Sequence, residues 1–185
     1  GATFVAVAGG GILSMAMDPN DPNVVYADGF KTTDGGATWV EQGGGLGFSM
    51  AMDPTDSNIV YAADIEIQKT TDGGKTWRRF NEGLGDAQIF SLAINPFNPK
   101  VLFAGSVGDG AFKSVNGGRT WTPIDIDSSV WGLLVDPDDG DIVYAGSNGN
   151  GVYKSTDGGD TFARVGSPEV GVVFSIVKSG QRLYA

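Results

Sequence analysis

A chain without a single histidine or cysteine has no histidine-dependent zinc site, no thiolate metal site and no Ser-His-Asp catalysis, so its carboxylates are the first candidates for chemistry. Two sets are available. The first is repeated: Asp34, Asp72 and Asp157 each precede a pair of glycines, and Asn116 takes the matching place in another copy. Aspartates in this pattern could serve as calcium ligands or catalytic acids. Asn116 argues for a turn instead, because an amide keeps an Asx-type turn but cannot do a carboxylate's acid–base work. The second set is scattered over short connecting segments: Asp28, Asp64, Glu66, Glu82, Asp86, Asp109, Asp125, Asp127 and Glu169. Two carboxylates about 5–9.5 Å apart can cleave a glycosidic bond, one protonating the leaving oxygen and the other acting as nucleophile or base. Asp64 with Asp86 and Asp109 with Asp127 are the candidate pairs. A chain with 22 acidic residues brings such pairs together by chance, so none is assigned as catalytic. No metal and no cofactor are expected.

The elements that must position these residues repeat. "KTTDGGATWVEQ" starts at Lys31, "KTTDGGKTWRRF" at Lys69, "KSVNGGRTWTPI" at Lys113 and "KSTDGGDTFARV" at Lys154. A second landmark keeps step with it: "MAMDPNDPNVVYA" from Met15, "MAMDPTDSNIVYA" from Met50, "LAINPFNPKVLFA" from Leu92 and "LLVDPDDGDIVYA" from Leu133. Two motifs recurring in one order at a period of about 40 residues define a repeat architecture. In each copy a hydroxyl, an Asp or Asn, a glycine, a threonine and an aromatic hold fixed places. They are Thr32, Asp34, Gly36, Thr38 and Trp39; Thr70, Asp72, Gly74, Thr76 and Trp77; Ser114, Asn116, Gly118, Thr120 and Trp121; Ser155, Asp157, Gly159, Thr161 and Phe162. Asp or Asn followed by Gly-Gly between short alternating runs predicts a β-hairpin with an elaborated loop, anchored by a buried aromatic.

The pattern Ser/Thr-x-Asp-x-Gly-x-Thr-Trp resembles the Asp-box, or BNR, repeat of sialidases, sortilin-type receptors, photosystem assembly propellers and xyloglucan-cleaving glycoside hydrolases. The "DPNDPNVVYA" segments most resemble the last group and the sortilin-type propellers. The resemblance spans nearly the whole chain and implies an all-β fold, a β-propeller of four-stranded antiparallel blades. In those families the Asp-boxes are structural and lie away from the binding face. The resemblance favours an extracellular or periplasmic location, which the sequence itself does not disclose. Sialidase activity is not expected: Arg78, Arg79, Arg119, Arg164 and Arg182 do not supply an arginine triad.

Four short strands per unit match a propeller blade. The units fall at about 11–42, 47–81, 89–126 and 130–165, and a fifth combines 173–185 with 1–8. The whole is expected to be a single domain over 1–185. Two architectures follow. The preferred one is a five-bladed ring whose last blade is shared by the two termini and incomplete, with residues 3–7 beside the C-terminal strands. The other is a section of a larger propeller, completed by a further chain or chain segment. A stacked solenoid is a distant third. The chain begins inside a strand-like segment, as expected of a piece of something longer.

Loops after the first and third strands share the face that carries the Asp-boxes; loops after the second and fourth share the expected binding face. The first strands open on large residues: Leu13, Phe48, Phe90, Trp131 and Phe174. Such a row could stack on sugar rings, but packing between blades is the expected reason for it, since large residues are needed wherever two blades press together. Trp131 stands out as a ligand-binding candidate, because Gly132 follows it where the four other residues of the row are followed by Ser.

With 22 acidic residues against 12 basic ones, the net charge is −10, which makes nucleic acid and anionic membranes poor partners. No stretch is long enough to span a membrane. The leading expectation is a non-catalytic binding or assembly module with a glycan or peptide on one face. A fragment or relative of an endo-acting hydrolase of the xyloglucanase type is the rival. A designed or reconstructed repeat protein is the third alternative.

Overall fold

The computed structural model describes residues 13–166 and 171–185. These residues are all-β, and the strands join in strict chain order. The first sheet contains β1 (Met15–Met17), β2 (Val25–Ala27), β3 (Phe30–Thr32) and β4 (Val40–Glu41). The second contains β5 (Ser49–Met52), β6 (Val60–Ala63), β7 (Ile67–Thr70) and β8 (Arg78–Arg79). The third has β9 (Ile89–Ile94), β10 (Leu102–Ser106), β11 (Ala111–Ser114) and β12 (Thr122–Ile124). The fourth has β13 (Val130–Val135), β14 (Val143–Ser147), β15 (Val152–Ser155) and β16 (Ala163–Val165). A last sheet of β17 (Val177–Ser179) and β18 (Arg182–Tyr184) has two strands. All pairs are antiparallel, so this is a propeller-type fold of four-stranded blades with an incomplete last one. The expected pairing of residues 3–7 lies outside the described residues.

Position within the blade dictates composition. The second strand is covered on both faces: all four residues of β6 are buried, and so are all five of β10. Hence the "IVYA" and "VLFA" runs read as continuously apolar rather than alternating. The fourth strand is the edge. It exposes Arg78 and Arg79 in one blade and carries Pro123 in another, which blunts pairing with further strands.

The residues fall into two compact units, one up to Arg79 and one from Phe80. The first unit's core lies between its sheets, with Ala16 and Tyr26 against Met52 and Val60, flanked by Met50 and Trp77. In the second unit Phe103 packs with Val135 and Val143, and Ala111, Ile126, Val130 and Ala145 form a neighbouring cluster. The "DP" landmark has a structural role at the end of each first strand. Asp18, Asp53, Asn95 and Asp136 are buried, and their side-chain oxygens accept the N–H groups of Asn20, Thr55, Phe97 and Asp138. The corners also link blades: Asn20 Nδ2 donates to the Pro54 carbonyl, and Asn95 Nδ2 to that of Gly140. Lys178 pairs with Asp136 and Asp138, which ties β17 to the fourth blade. On β1, by contrast, Met15 and Met17 are exposed, whereas Met52 in the matching strand of the next blade is buried.

Candidate functional site

At one end of the blades stand the repeated turns. Each strand before the box ends on a buried hydroxyl residue: Thr32, Thr70, Ser114 or Ser155. Thr70 Oγ1 accepts the N–H groups of Asp72 and Gly74 and donates to Asp72 Oδ1. Asp72 Oδ1 also accepts the Thr76 N–H at 2.9 Å, and Oδ2 accepts the Thr76 hydroxyl at 2.6 Å. The boxes of Asp34 and Asp157 reproduce these contacts. Both glycines of the Asp72 box have positive φ (75° and 93°), which is why Gly-Gly is required. Asn116 keeps the turn by reversing one bond, its Nδ2 donating to Thr120 Oγ1 at 2.8 Å. The Thr38 hydroxyl and N–H, with the Thr32 hydroxyl, hold the Asp34 carboxyl down to about 2. Thr76 and Thr70 do the same to Asp72, also to about 2, and the Ser155 and Thr161 hydroxyls lower Asp157. Carboxylates held this way are poor proton donors and have both oxygens committed.

The anchoring aromatics differ in depth. Trp121 is 3% exposed and donates Nε1–H to the Phe80 carbonyl, while Trp39, Trp77 and Phe162 are half-buried. The expectation of a buried anchor in every copy is met fully by Trp121 alone. Its extra cover is the segment 80–84 before the third blade, where Glu82 also accepts the Trp121 N–H. Trp77 lies against Gly44 and Gly45 and donates Nε1–H to Gly74.

At the other end lie the loops expected to bind. Asp28 is committed: its carboxylate accepts the N–H groups of Leu13 and Gly47, and its own backbone has φ 43°, in the left-handed region. Glu66 is ion-paired with Arg79 at 2.7 Å. Asp64 is half-buried in the β6–β7 turn of the first unit, and Asp86 is exposed in the second. Asp109 and Asp127 are both exposed in the second unit, on loops that touch: Ser129 Oγ accepts the Gly108 N–H at 2.9 Å, and a Cβ on Gly110 would meet the Ile126 carbonyl. Their carboxylates make no hydrogen bond or ion pair among the described residues. Glu82 and Asp125 are exposed, and Glu169 lies outside the described residues.

Beside these loops the aromatic row is real. Phe90 and Trp131 meet edge-to-face with ring centroids 4.6 Å apart, and Trp131 meets Phe174 at 5.6 Å. Phe174 is 68% exposed and Trp131 half-buried, so the row is a surface feature at its outer end rather than core. Trp131 Nε1 is buried with no hydrogen-bond partner among the described residues. Gly132 has its reason here: a Cβ would come within 3.1 Å of the Phe174 carbonyl and Ser175 Cα. The sequence marks Gly132 as unusual, but only the approach of the backbone at 174–175, just before β17, explains it.

The chain carries the BNR/Asp-box repeat. The family model of that description matches residues 68–79, the second box and its flanking strands. No curated protein matches by sequence. Among solved structures, an ancestral GH74 enzyme is 28% identical over 87% of this chain and 25% of its own, with a TM-score of 0.76. The GH74 enzyme of Niastella koreensis is 20% identical, with a TM-score of 0.56. The GH74 xyloglucanase from Xanthomonas campestris is 15% identical, with a TM-score of 0.54. Each of these two covers 83% of this chain, and the chain covers 38% of each; at such identities they speak to the fold alone. The chain thus spans a quarter to about two-fifths of these relatives.

Proposed function

We propose that this chain is a portion or a relative of an endo-acting glycoside hydrolase of the xyloglucanase type, and that it contributes a glycan-binding face. The observation that carries the reading is the Phe90–Trp131–Phe174 row, set beside the loops of Asp109 and Asp127 in a chain similar to an ancestral GH74 enzyme. Apolar C–H faces of sugar rings stack on such rings, and the adjacent free carboxylates accept bonds from sugar hydroxyls. On this reading the two units belong to one Asp-box propeller domain over 1–185, and the protein works outside the cytoplasm, where polymeric glucans are met.

Binding rather than cleavage is the role assigned to this chain alone. Hydrolysis requires a sugar fixed between acid and base to within ~0.5 Å, and a shallow face with one row of rings gives little grip on its second side. A second reading is favoured by one observation: Asp109 and Asp127 stand on touching loops, and neither carboxylate has a hydrogen bond or ion pair among the described residues. Titration with xyloglucan oligosaccharides, together with a reducing-end assay, separates the two. Saturable binding that Phe174→Ala and Trp131→Ala weaken, without turnover, is expected. Turnover abolished by Asp109→Asn or Asp127→Asn would establish the second reading. No binding at all would overturn both.

A further inference from the structure

The Asp-box end of the blades carries a groove in each unit, and the two grooves have different walls. In the first unit a groove of about 270 Å³ is lined by Lys31, Thr33 and Lys75, among others, with no carboxylate in its wall. In the second unit a groove of about 470 Å³, which also takes in the corners, is lined by Lys113, Val115, Phe97 and three carboxylates, among others. Val115 stands where the other boxes have Thr33, Thr71 and Thr156, and Phe97 where the other corners have Asn20, Thr55 and Asp138. Two polar positions have thus become large and apolar in the same repeat, on the same groove. Both side chains are 64% exposed, so neither is explained by the core.

The charge of the wall points to an occupant. Asp139 and Asp141 are exposed and form no ion pair among the described residues, and Asp157 keeps its charge within its turn. The one ammonium, Lys113 Nζ, is already held by Asp160 at 2.6 Å. An apolar floor between uncompensated carboxylates matches an apolar side chain flanked by cations. A neutral glycan would use Phe97 but gain nothing from Val115, and an anionic lipid surface is repelled. We propose that this groove docks a peptide segment bearing a large apolar side chain next to lysine or arginine. The site lies at the opposite end of the strands from Trp131 and is independent of the glycan-binding reading.

The test uses fluorescence anisotropy of the whole chain with a labelled peptide, acetyl-Lys-Leu-Lys-Phe-Lys-Leu-amide. Phe97→Asn/Val115→Thr restores residues that other repeats carry in the same fold, so loss of folding is not expected. Asp139→Asn/Asp141→Asn keeps shape and removes charge. Each double variant is expected to weaken binding about tenfold or more, and raising salt is expected to weaken the wild type more than the charge variant. No saturable binding, equal binding of the matching glutamate peptide, or an unchanged affinity in Phe97→Asn/Val115→Thr would overturn the proposal. Displacement of the peptide by xyloglucan oligosaccharide in the Trp131→Ala background would assign the groove to glycan instead.

Discussion

The two ends of a blade use the same residue type in opposite ways. At one end Asp34, Asp72 and Asp157 each accept at least three hydrogen bonds from within their own turns, and their proton affinity is correspondingly low. At the other end Asp109 and Asp127 accept none from the described residues. Motif recurrence therefore tracks folding here, while chemical availability lies where the sequence does not repeat.

Four experiments probe this contrast. The largest effect is expected from Trp121→Ala, because the ring is almost fully buried and its N–H is bonded: a loss of about 3–5 kcal/mol by denaturant titration. Trp77→Ala, half-buried, should cost about 1–3 kcal/mol; equal losses at the two sites would break the account of segment 80–84 as cover. Next comes Thr70→Val, which strands the N–H groups of Asp72 and Gly74 in a buried site. The expected cost is about 1–3 kcal/mol. Third is pH. Asp34 and Asp72 sit at about 2 against about 4 for an unfolded aspartate, so their contribution is complete above pH ~4 and is lost as pH falls towards ~2. An Asp34→Asn/Asp72→Asn variant, built on the Asn116 precedent, should be less stable than wild type above pH ~4 and converge with it near pH ~2. A constant gap across that window would show that the depressed affinity contributes nothing. The smallest effect belongs to Asp109→Asn/Asp127→Asn, expected to leave the unfolding midpoint unchanged. A clear loss there would mean that these carboxylates also hold structure.

The Asp-boxes were legible in the sequence because each is closed by groups within about seven residues: hydroxyl, carboxylate, two glycines, hydroxyl. The blade order was legible for the same reason, each strand pairing with its chain neighbour. What the sequence did not disclose depends on distant segments. The unequal depth of Trp77 and Trp121 is set by the connections laid over them, glycines 44 and 45 in one case and Phe80 to Leu84 in the other. Gly132 looked like a clue to Trp131 but answers to the backbone at 174–175. The "DP" corners were recognised as a landmark, yet the burial of Asp18, Asp53, Asn95 and Asp136 as turn-closing acceptors was not inferred. Nor was the groove of Phe97 and Val115, since those departures matter only when two repeats share a wall.

The four methionines of the chain all sit on first strands, in two matching pairs: Met15 and Met17 on β1, Met50 and Met52 on β5. Thioether oxidation follows access, and the sulfoxide is a polar lesion that a packed face resists. Brief peroxide treatment should therefore modify Met15 and Met17 well before Met52, giving mass spectrometry an internal reference within one molecule. Anything that comes to lie on the β1 face, whether another blade, another copy or a bound chain, would erase that difference in rate without any label being introduced.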